Sequence, residues 1–293
     1  MKGIVLAGGS GTRLYPITEG ISKQLMPIYD KPMIFYPISV LMLAGIKDIL
    51  IITTEEDQSS FKRLLEDGSK FGINIKYATQ AKPNGLAEAF IIGEDFIGDD
   101  ECAMILGDNI FYGNGFVDLL KSAAESAKEG FATIFGIEVK DPNRFGIMEF
   151  QKNNNKIEIL SVEEKPIKPK SDFAITGLYF YPKNVAQKAK LVKPSNRGEL
   201  EITTLNDLYL KEKKLRGELL GGGFNWFDTG TFESQFDAAL NIRTNQINRG
   251  KIIACLEQIA YDKNWLSKED LEKRAKVLSK NSYGAYLMEV LNK

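Results

Sequence analysis

Lys2-Gly3-Ile4-Val5-Leu6-Ala7-Gly8-Gly9-Ser10-Gly11-Thr12-Arg13-Leu14 opens the chain with a short apolar run that stops at glycines. Residues 2–6 are too few for a helix and read as a buried first strand feeding a glycine loop. Apolar spacing then switches to the helical period from Ile34 to Ala44, with Gly45 placed to end it. The pattern keeps alternating. Strands are expected over 49–52, 73–78, 103–106 and 132–137, and helices over 59–65, 86–96 and 115–128. Alternation of this kind needs crossover units, so the fold class is α/β with a doubly wound, Rossmann-like, mainly parallel sheet.

After Pro142 the pattern changes. Strands over 146–150 and 157–162 about the turn Asn153-Asn154-Asn155 read as a hairpin insertion, which makes the sheet mixed. A strand over 174–180, a helix over 202–211 and a strand over 215–220 follow. From Phe232 the chain reads as mostly helical, with 267–278 opening on a capping box of Ser267 and Asp270. No repeat, low-complexity tract or linker divides it. The expectation is a single domain over 1–293, with a core to about residue 240 and a C-terminal helical extension over about 241–293.

Composition narrows the chemistry. Hydrophobic residues at 43% and charged residues at 26% are globular values, so the chain folds. Its 38 basic and 39 acidic side chains give a net charge of -1, which offers no general attraction to polymeric nucleic acid or an anionic membrane. There is no histidine. Ser-His-Asp and Cys-His chemistry and histidine-ligated zinc are thereby closed, leaving carboxylates, Lys, Arg, backbone amides and hard metal ions. Cys102 and Cys255 stand far apart and outside any CxxC, so neither a disulfide framework nor a zinc knuckle is expected. No charged-then-apolar leader opens the sequence and no apolar run approaches the roughly 18 residues of a membrane span, which points to the cytoplasm.

Gly8, Gly9 and Gly11 let backbone N–H groups approach phosphate oxygens with no Cβ in the way. By itself such a loop is an ordinary tight turn. Its spacing lacks the third glycine of GxGxxG and no GK[ST] follows, which disfavours a nicotinamide-dependent dehydrogenase. Arg13 and Lys23 add two cations able to surround a triphosphate.

This loop, with Ser22-Lys23-Gln24-Leu25-Met26-Pro27 and Asp30-Lys31-Pro32-Met33, resembles the sugar-phosphate nucleotidyltransferases. The resemblance covers essentially the whole chain, through Lys82-Pro83-Asn84-Gly85-Leu86-Ala87, Leu106-Gly107-Asp108-Asn109, Glu164-Lys165-Pro166, Thr176-Gly177-Leu178-Tyr179, residues 197–203 and residues 226–231. It implies an enzyme that joins a nucleoside triphosphate to a hexose 1-phosphate. Thymidine triphosphate (dTTP) and α-D-glucose 1-phosphate are the favoured pair, dTDP-glucose and pyrophosphate the products, and dTDP-rhamnose biosynthesis the pathway.

Residue chemistry agrees. The Gln80 amide matches the donor and acceptor edge of thymine or uracil equally. Asp108 ends an apolar strand, where open α/β sheets place their ligands. By resemblance Leu6, Gly8, Gly9, Ser10, Gly11, Thr12, Arg13, Lys23, Gln80, Gly85, Leu86 and Asp108 bind the nucleotide, and Asp108 with Asp228 holds Mg2+. The sugar-phosphate side, within about 142–225, is implied to be Asn109, Gly146, Glu164, Lys165, Tyr179 and Arg197. Glu164 meets hydroxyls, with Glu199 assisting; Lys165 and Arg197 grip the phosphate, and Tyr179 borders the nucleotide sugar. Arg13, Lys23, Asp108, Lys165 and Asp228 form the implied catalytic set. Phe145 stands where many relatives carry Tyr, so a contact needing that hydroxyl is lost. A homotetramer with feedback inhibition by dTDP-rhamnose is implied as well, drawing on segments 217–223, 255–259 and 280–284.

Two other readings stay open. A UTP-dependent or other sugar-1-phosphate nucleotidyltransferase shares the glutamine. A non-catalytic nucleotide-sugar sensor is weakened by the joint presence of Arg13, Lys23, Asp108, Lys165, Arg197 and Asp228.

Overall fold

The computed structural model describes residues 1–9, 11–153 and 156–292. Ser10 and the Asn154-Asn155 part of the expected turn lie outside the described residues. The chain runs β1 (Lys2–Ala7), β2 (Pro27–Ile28), β3 (Lys31–Pro32), α1 (Phe35–Leu43), β4 (Asp48–Thr53), α2 (Gln58–Leu65) and β5 (Asn74–Thr79). Next come α3 (Glu88–Ile92), α4 (Glu94–Ile97), β6 (Cys102–Leu106), β7 (Ile110–Gly113), α5 (Phe116–Lys128) and β8 (Ala132–Glu138). The second half holds β9 (Gly146–Asn153), β10 (Lys156–Glu164), β11 (Phe173–Tyr181), α6 (Val185–Ala189), α7 (Ile202–Lys211), β12 (Leu215–Leu219) and β13 (Phe224–Phe227). Four helices close it: α8 (Phe232–Arg249), α9 (Leu256–Asp262), α10 (Lys268–Val277) and α11 (Ser282–Leu291).

The first strands are apolar throughout because both faces of the sheet are covered. Val5, Ile49, Ile51 and Ile105 pack in one core with Ile38, Phe61 and Leu120. Their neighbours Ile4, Leu50, Ile52 and Met104 pack on the opposite face with Phe90, Val185 and Leu205. Side-chain alternation along a strand produces this division. The spatial order β5-β4-β1-β6 is parallel, with Leu6 opposite both Ile52 and Leu106. Beyond β6 the sheet turns mixed: β11 is antiparallel to β6, β8 and β9, β10 pairs antiparallel with β9, and β12 runs parallel to β8. From β1 the chain crosses to β4 on one side, and it returns to β6 on the other. The loops after β1 and β6 therefore diverge and leave a crevice at the carboxyl ends of these strands.

Three local features differ from the sequence reading. The helix expected over 86–96 is two short helices divided at Gly93, where an added Cβ would come within 3.0 Å of Ile4 Cδ1. Ser267 caps α10 by accepting the Asp270 N–H, but the Asp270 carboxylate takes the Ser267 hydroxyl at 2.8 Å, so the box is half formed. A reciprocal box forms at Thr231 and Ser234 instead, at the start of α8. The short antiparallel pair β7–β13 was not anticipated, and it proves decisive for the site. No helix among the described residues is long and apolar enough to cross a membrane.

Candidate active site

Where β1 ends, the backbone turns through Gly8 and Gly9. A Cβ on Gly8 would lie 3.2 Å from Gln80 Oε1, so this turn passes tightly beneath the glutamine. Gly11, at φ +62°, starts a 3-10 turn over Thr12–Leu14 that is anchored by the buried Leu14. Arg13 then projects against Gly230, where an added Cβ would sit 2.9 Å from the guanidinium. Lys23 is only 6% exposed, with Nζ 2.7 Å from Asp108 Oδ2 and 3.5 Å from the Asp228 carbonyl oxygen.

The two aspartates are separated by 120 positions but meet because β7 and β13 pair, Ile110 opposite Phe227. Asp108 stands two residues before β7 and Asp228 directly after β13, so both lie at the same end of that pairing. The Thr229 hydroxyl donates to the Asp108 carbonyl at 2.6 Å and locks the two loops together. Asp228 also faces Arg144, whose Nη2 is 3.6 Å from Oδ2. Asn109 holds the floor: its Oδ1 accepts from Gly177 N–H at 3.0 Å and Trp226 Nε1–H at 2.7 Å, and its Nδ2 donates to Asp108 Oδ1 at 2.8 Å. Phe145 packs edge-on against Trp226, the centroids 5.3 Å apart.

On the far side, the β8–β11 register breaks between Ile175 and Tyr179, which frees the Thr176-Gly177 backbone to approach the crevice. Glu164 ends β10, and its Oε2 accepts the Thr203 hydroxyl at 2.6 Å. Lys165 follows at φ +44° and is about half exposed. Burial, and secondarily the charge of Glu164, keep the Tyr179 hydroxyl protonated far above its usual range.

Three adjoining cavities with shared lining residues result. One of about 400 Å³ is lined by Asp108, Arg144, Gly146, Glu164, Lys165 and Asp228, among others. A second, of about 190 Å³, lies between Gly8, Gly9, Gln80, Gly85, Leu86 and Glu199. The third, of about 220 Å³, is bounded by Gly11, Thr12, Arg13, Lys23 and Gly230. Asp108 lines all three.

Most of the residues expected from sequence therefore meet in one crevice. Arg197 stands apart from the cavity walls: its Nη2 lies 2.9 and 3.0 Å from the two oxygens of Glu201, 3.1 Å from Glu199 and 3.6 Å from Glu164. Burial lowers its pKa, but the bonds to Glu201 and the neighbouring carboxylates outweigh this and raise it overall. Sequence reasoning missed Glu88, Glu201 and Thr203 as partners of site residues, and Arg144 as a neighbour of Asp228. Glu88 offered a signal in its four-residue spacing from Asn84, and the others required the fold.

The Nucleotidyl transferase family model matches residues 2–245. The chain belongs to the nucleotidyl transferase family. It is 58% identical, over all 293 residues of both chains, to a glucose-1-phosphate thymidylyltransferase of Neisseria meningitidis serogroup A. A protein of the same name from Mycobacterium tuberculosis is 50% identical over its full length. Among solved structures, a Bacillus anthracis protein assigned as a glucose-1-phosphate thymidylyltransferase and holding sucrose superposes with a TM-score of 0.75. It is 40% identical, with 83% of this chain and 95% of that one covered. A UDP-glucose pyrophosphorylase bound to UDP-glucose, 24% identical with a TM-score of 0.74, shares the fold over 83% of this chain and 98% of its own.

Proposed function

We propose that the protein joins dTTP and α-D-glucose 1-phosphate to give dTDP-glucose and pyrophosphate, the first step of dTDP-rhamnose formation, in the cytoplasm. The observation that carries this reading is the crevice in which Gln80, the Arg13–Lys23 loop and the Glu164–Lys165 strand end surround three adjoining cavities sharing Asp108. In this reading Gln80, Gly85 and Leu86 hold the base, and the glycine loop with Arg13 and Lys23 holds the triphosphate. Glu164 takes sugar hydroxyls and Lys165 the sugar phosphate, which Arg197 joins on giving up its bonds to Glu201 and Glu199.

The attacking atom is a phosphate monoester oxygen, largely ionised at neutral pH because the second pKa of such esters is about 6. No general base is needed, which suits a chain without histidine. The obstacle is bringing two anions together, a task for positioning and electrostatics. Lys165 steadies the attacking phosphate for in-line approach to the α-phosphorus, and Arg13 and Lys23 oppose the charge that grows on pyrophosphate.

Asp108 and Asp228 fit Mg2+. Both are hard oxygen donors lining the same cavity. No group of three or more His, Cys, Asp or Glu is placed to cage a metal among the described residues, and Mg2+ is ordinarily held by one or two carboxylates with substrate phosphates. Bound there, the ion supplies charge neutralisation on the triphosphate.

Pyrophosphate release across a panel of dTTP, UTP and other triphosphates, each with several sugar 1-phosphates, tests the reaction. Preference for UTP would move the assignment to the uridylyl reading. A homotetramer inhibited by dTDP-rhamnose at a second site belongs to the same proposal. A monomer by light scattering with purely competitive inhibition contradicts that part.

A further inference from the structure

The glutamine beneath the nucleotide crevice is not free to turn. Gln80 follows β5 and is 6% exposed. Its Nε2 donates to Glu88 Oε2 at 2.7 Å and to the Gly85 carbonyl at 3.2 Å. A carboxylate and a carbonyl can only accept, so they engage both N–H groups of the amide and fix which end faces them. The carbonyl end, Oε1, is then left on the side of Gly8. The other oxygen of Glu88, Oε1, accepts from Asn84 Nδ2 at 2.8 Å.

We infer that Glu88 is a specificity-determining positioning residue, which orients the Gln80 amide so that a carbonyl and not an NH2 meets the base. The inference rests on reading this cavity as the base site. A fixed carbonyl accepts the ring N3–H of thymine or uracil. Cytosine presents an unprotonated ring nitrogen at the same edge, so acceptor would face acceptor and dCTP is rejected. Without Glu88 the amide is held by Gly85 alone. It can then turn, offering its NH2 to the cytosine ring nitrogen and its carbonyl to the exocyclic amine.

Calorimetric binding of dTTP and dCTP to the intact chain tests this independently of turnover. Wild type is expected to favour dTTP. Glu88→Ala should narrow the dTTP-to-dCTP ratio by about tenfold, the scale of one mispaired hydrogen bond. Glu88→Gln should narrow it partway, by about threefold, because its neutral amide can accept or donate. Asn84→Ala, which removes the other bond to Glu88, should leave the ratio unchanged. Circular dichroism checks folding, and if Glu88→Ala does not fold, Glu88→Gln carries the comparison. Equal binding of the two nucleotides by wild type overturns the inference. So does a ratio unmoved by the Glu88 variants, or one moved equally by Asn84→Ala, which would make loop position the cause. If the ratio behaves as expected but no sugar phosphate yields pyrophosphate, the inference stands and the proposed reaction fails.

Discussion

Lys165 and Arg13 both line the 400 Å³ cavity, but only Arg13 also bounds the 220 Å³ cavity of the glycine loop, so their losses should be felt through different substrates. Lys165→Ala removes a point charge from a dianionic group, and a hydrogen bond to a charged group is worth roughly 1.5 to 3 kcal/mol. The Michaelis constant for glucose 1-phosphate should rise about 10- to 150-fold while that for dTTP moves far less. Arg13→Ala should show the reverse bias and a larger loss of turnover. Varying each substrate at saturation of the other separates the two, and a Lys165→Ala enzyme impaired mainly on dTTP would reverse the assigned roles. Asp108→Asn and Asp228→Asn should each lower turnover by at least about 100-fold, the cost of losing one electrostatic stabiliser. Full activity in excess chelator would remove the metal from the scheme. These residues were legible because each sits in a short segment whose chemistry is local. Asn109 was legible only as a neighbour of Asp108. Its Oδ1 serves Gly177 and Trp226, contacts made across 68 and 117 positions that no local pattern encodes.

At the scale of elements, the alternation of apolar runs was enough to place the parallel strands and most helices, since the central strands β1, β4 and β6 are buried on both faces and helices cover them. What the alternation could not supply was the pairing of β7 with β13, two four-residue strands that bring Asp108 and Asp228 together. The loop after β5 is a second case, because it is shaped by contact with residues far along the chain. Gly85 has φ +108°, and a Cβ there would fall 2.4 Å from the Leu200 carbonyl oxygen and 2.5 Å from its nitrogen. Leu200 in turn donates its N–H to the Asn84 carbonyl at 2.6 Å and accepts from Ala87 N–H at 3.1 Å. The glycine thus joins this loop to the segment carrying Arg197. Gly85→Ala should strain that junction by about 1 to 3 kcal/mol and weaken both substrates together. Thermal denaturation with two-substrate kinetics checks this. A variant of native stability and unchanged Michaelis constants would show that the two loops are not coupled.

For the whole molecule, the absence of histidine removes the side chain that ordinarily titrates between about pH 5 and 8, so the stability profile should be set by its two edges. On the acid side, the bond from Lys2, then that from Asn74, holds the Asp48 carboxyl below its usual range. Glu212 is lowered chiefly by its bond to Lys188, and Glu149 by the Ser161 hydroxyl. A depressed carboxyl contributes stability above its unfolded pKa, about 3.9 for Asp and 4.3 for Glu, and that contribution is lost as pH falls through the folded value. Burial raises Glu218 and Asp262, which oppose the trend by favouring the protonated fold and make the acid limb shallower. On the alkaline side, burial pushes the Cys255 thiol and the Tyr77 hydroxyl each up to about 12, and raises Cys102, Tyr179 and Tyr181 as well. A raised group contributes stability below its unfolded pKa, and that contribution is lost as pH rises toward the folded value. For thiols the loss begins near 8.5 and for phenols near 10. Lys31 and Lys263, lowered mainly by burial, run against this loss but only in the lysine range. The unfolding midpoint of the ligand-free chain should therefore stay flat to within about 3 °C between pH 6 and 8, the scale of 1 kcal/mol in a chain of this size. It should fall below about pH 4 and again above about pH 8.5. Scanning fluorimetry at constant ionic strength measures this directly, and a steep change between pH 6 and 7 would require a titrating group that none of these side chains provides.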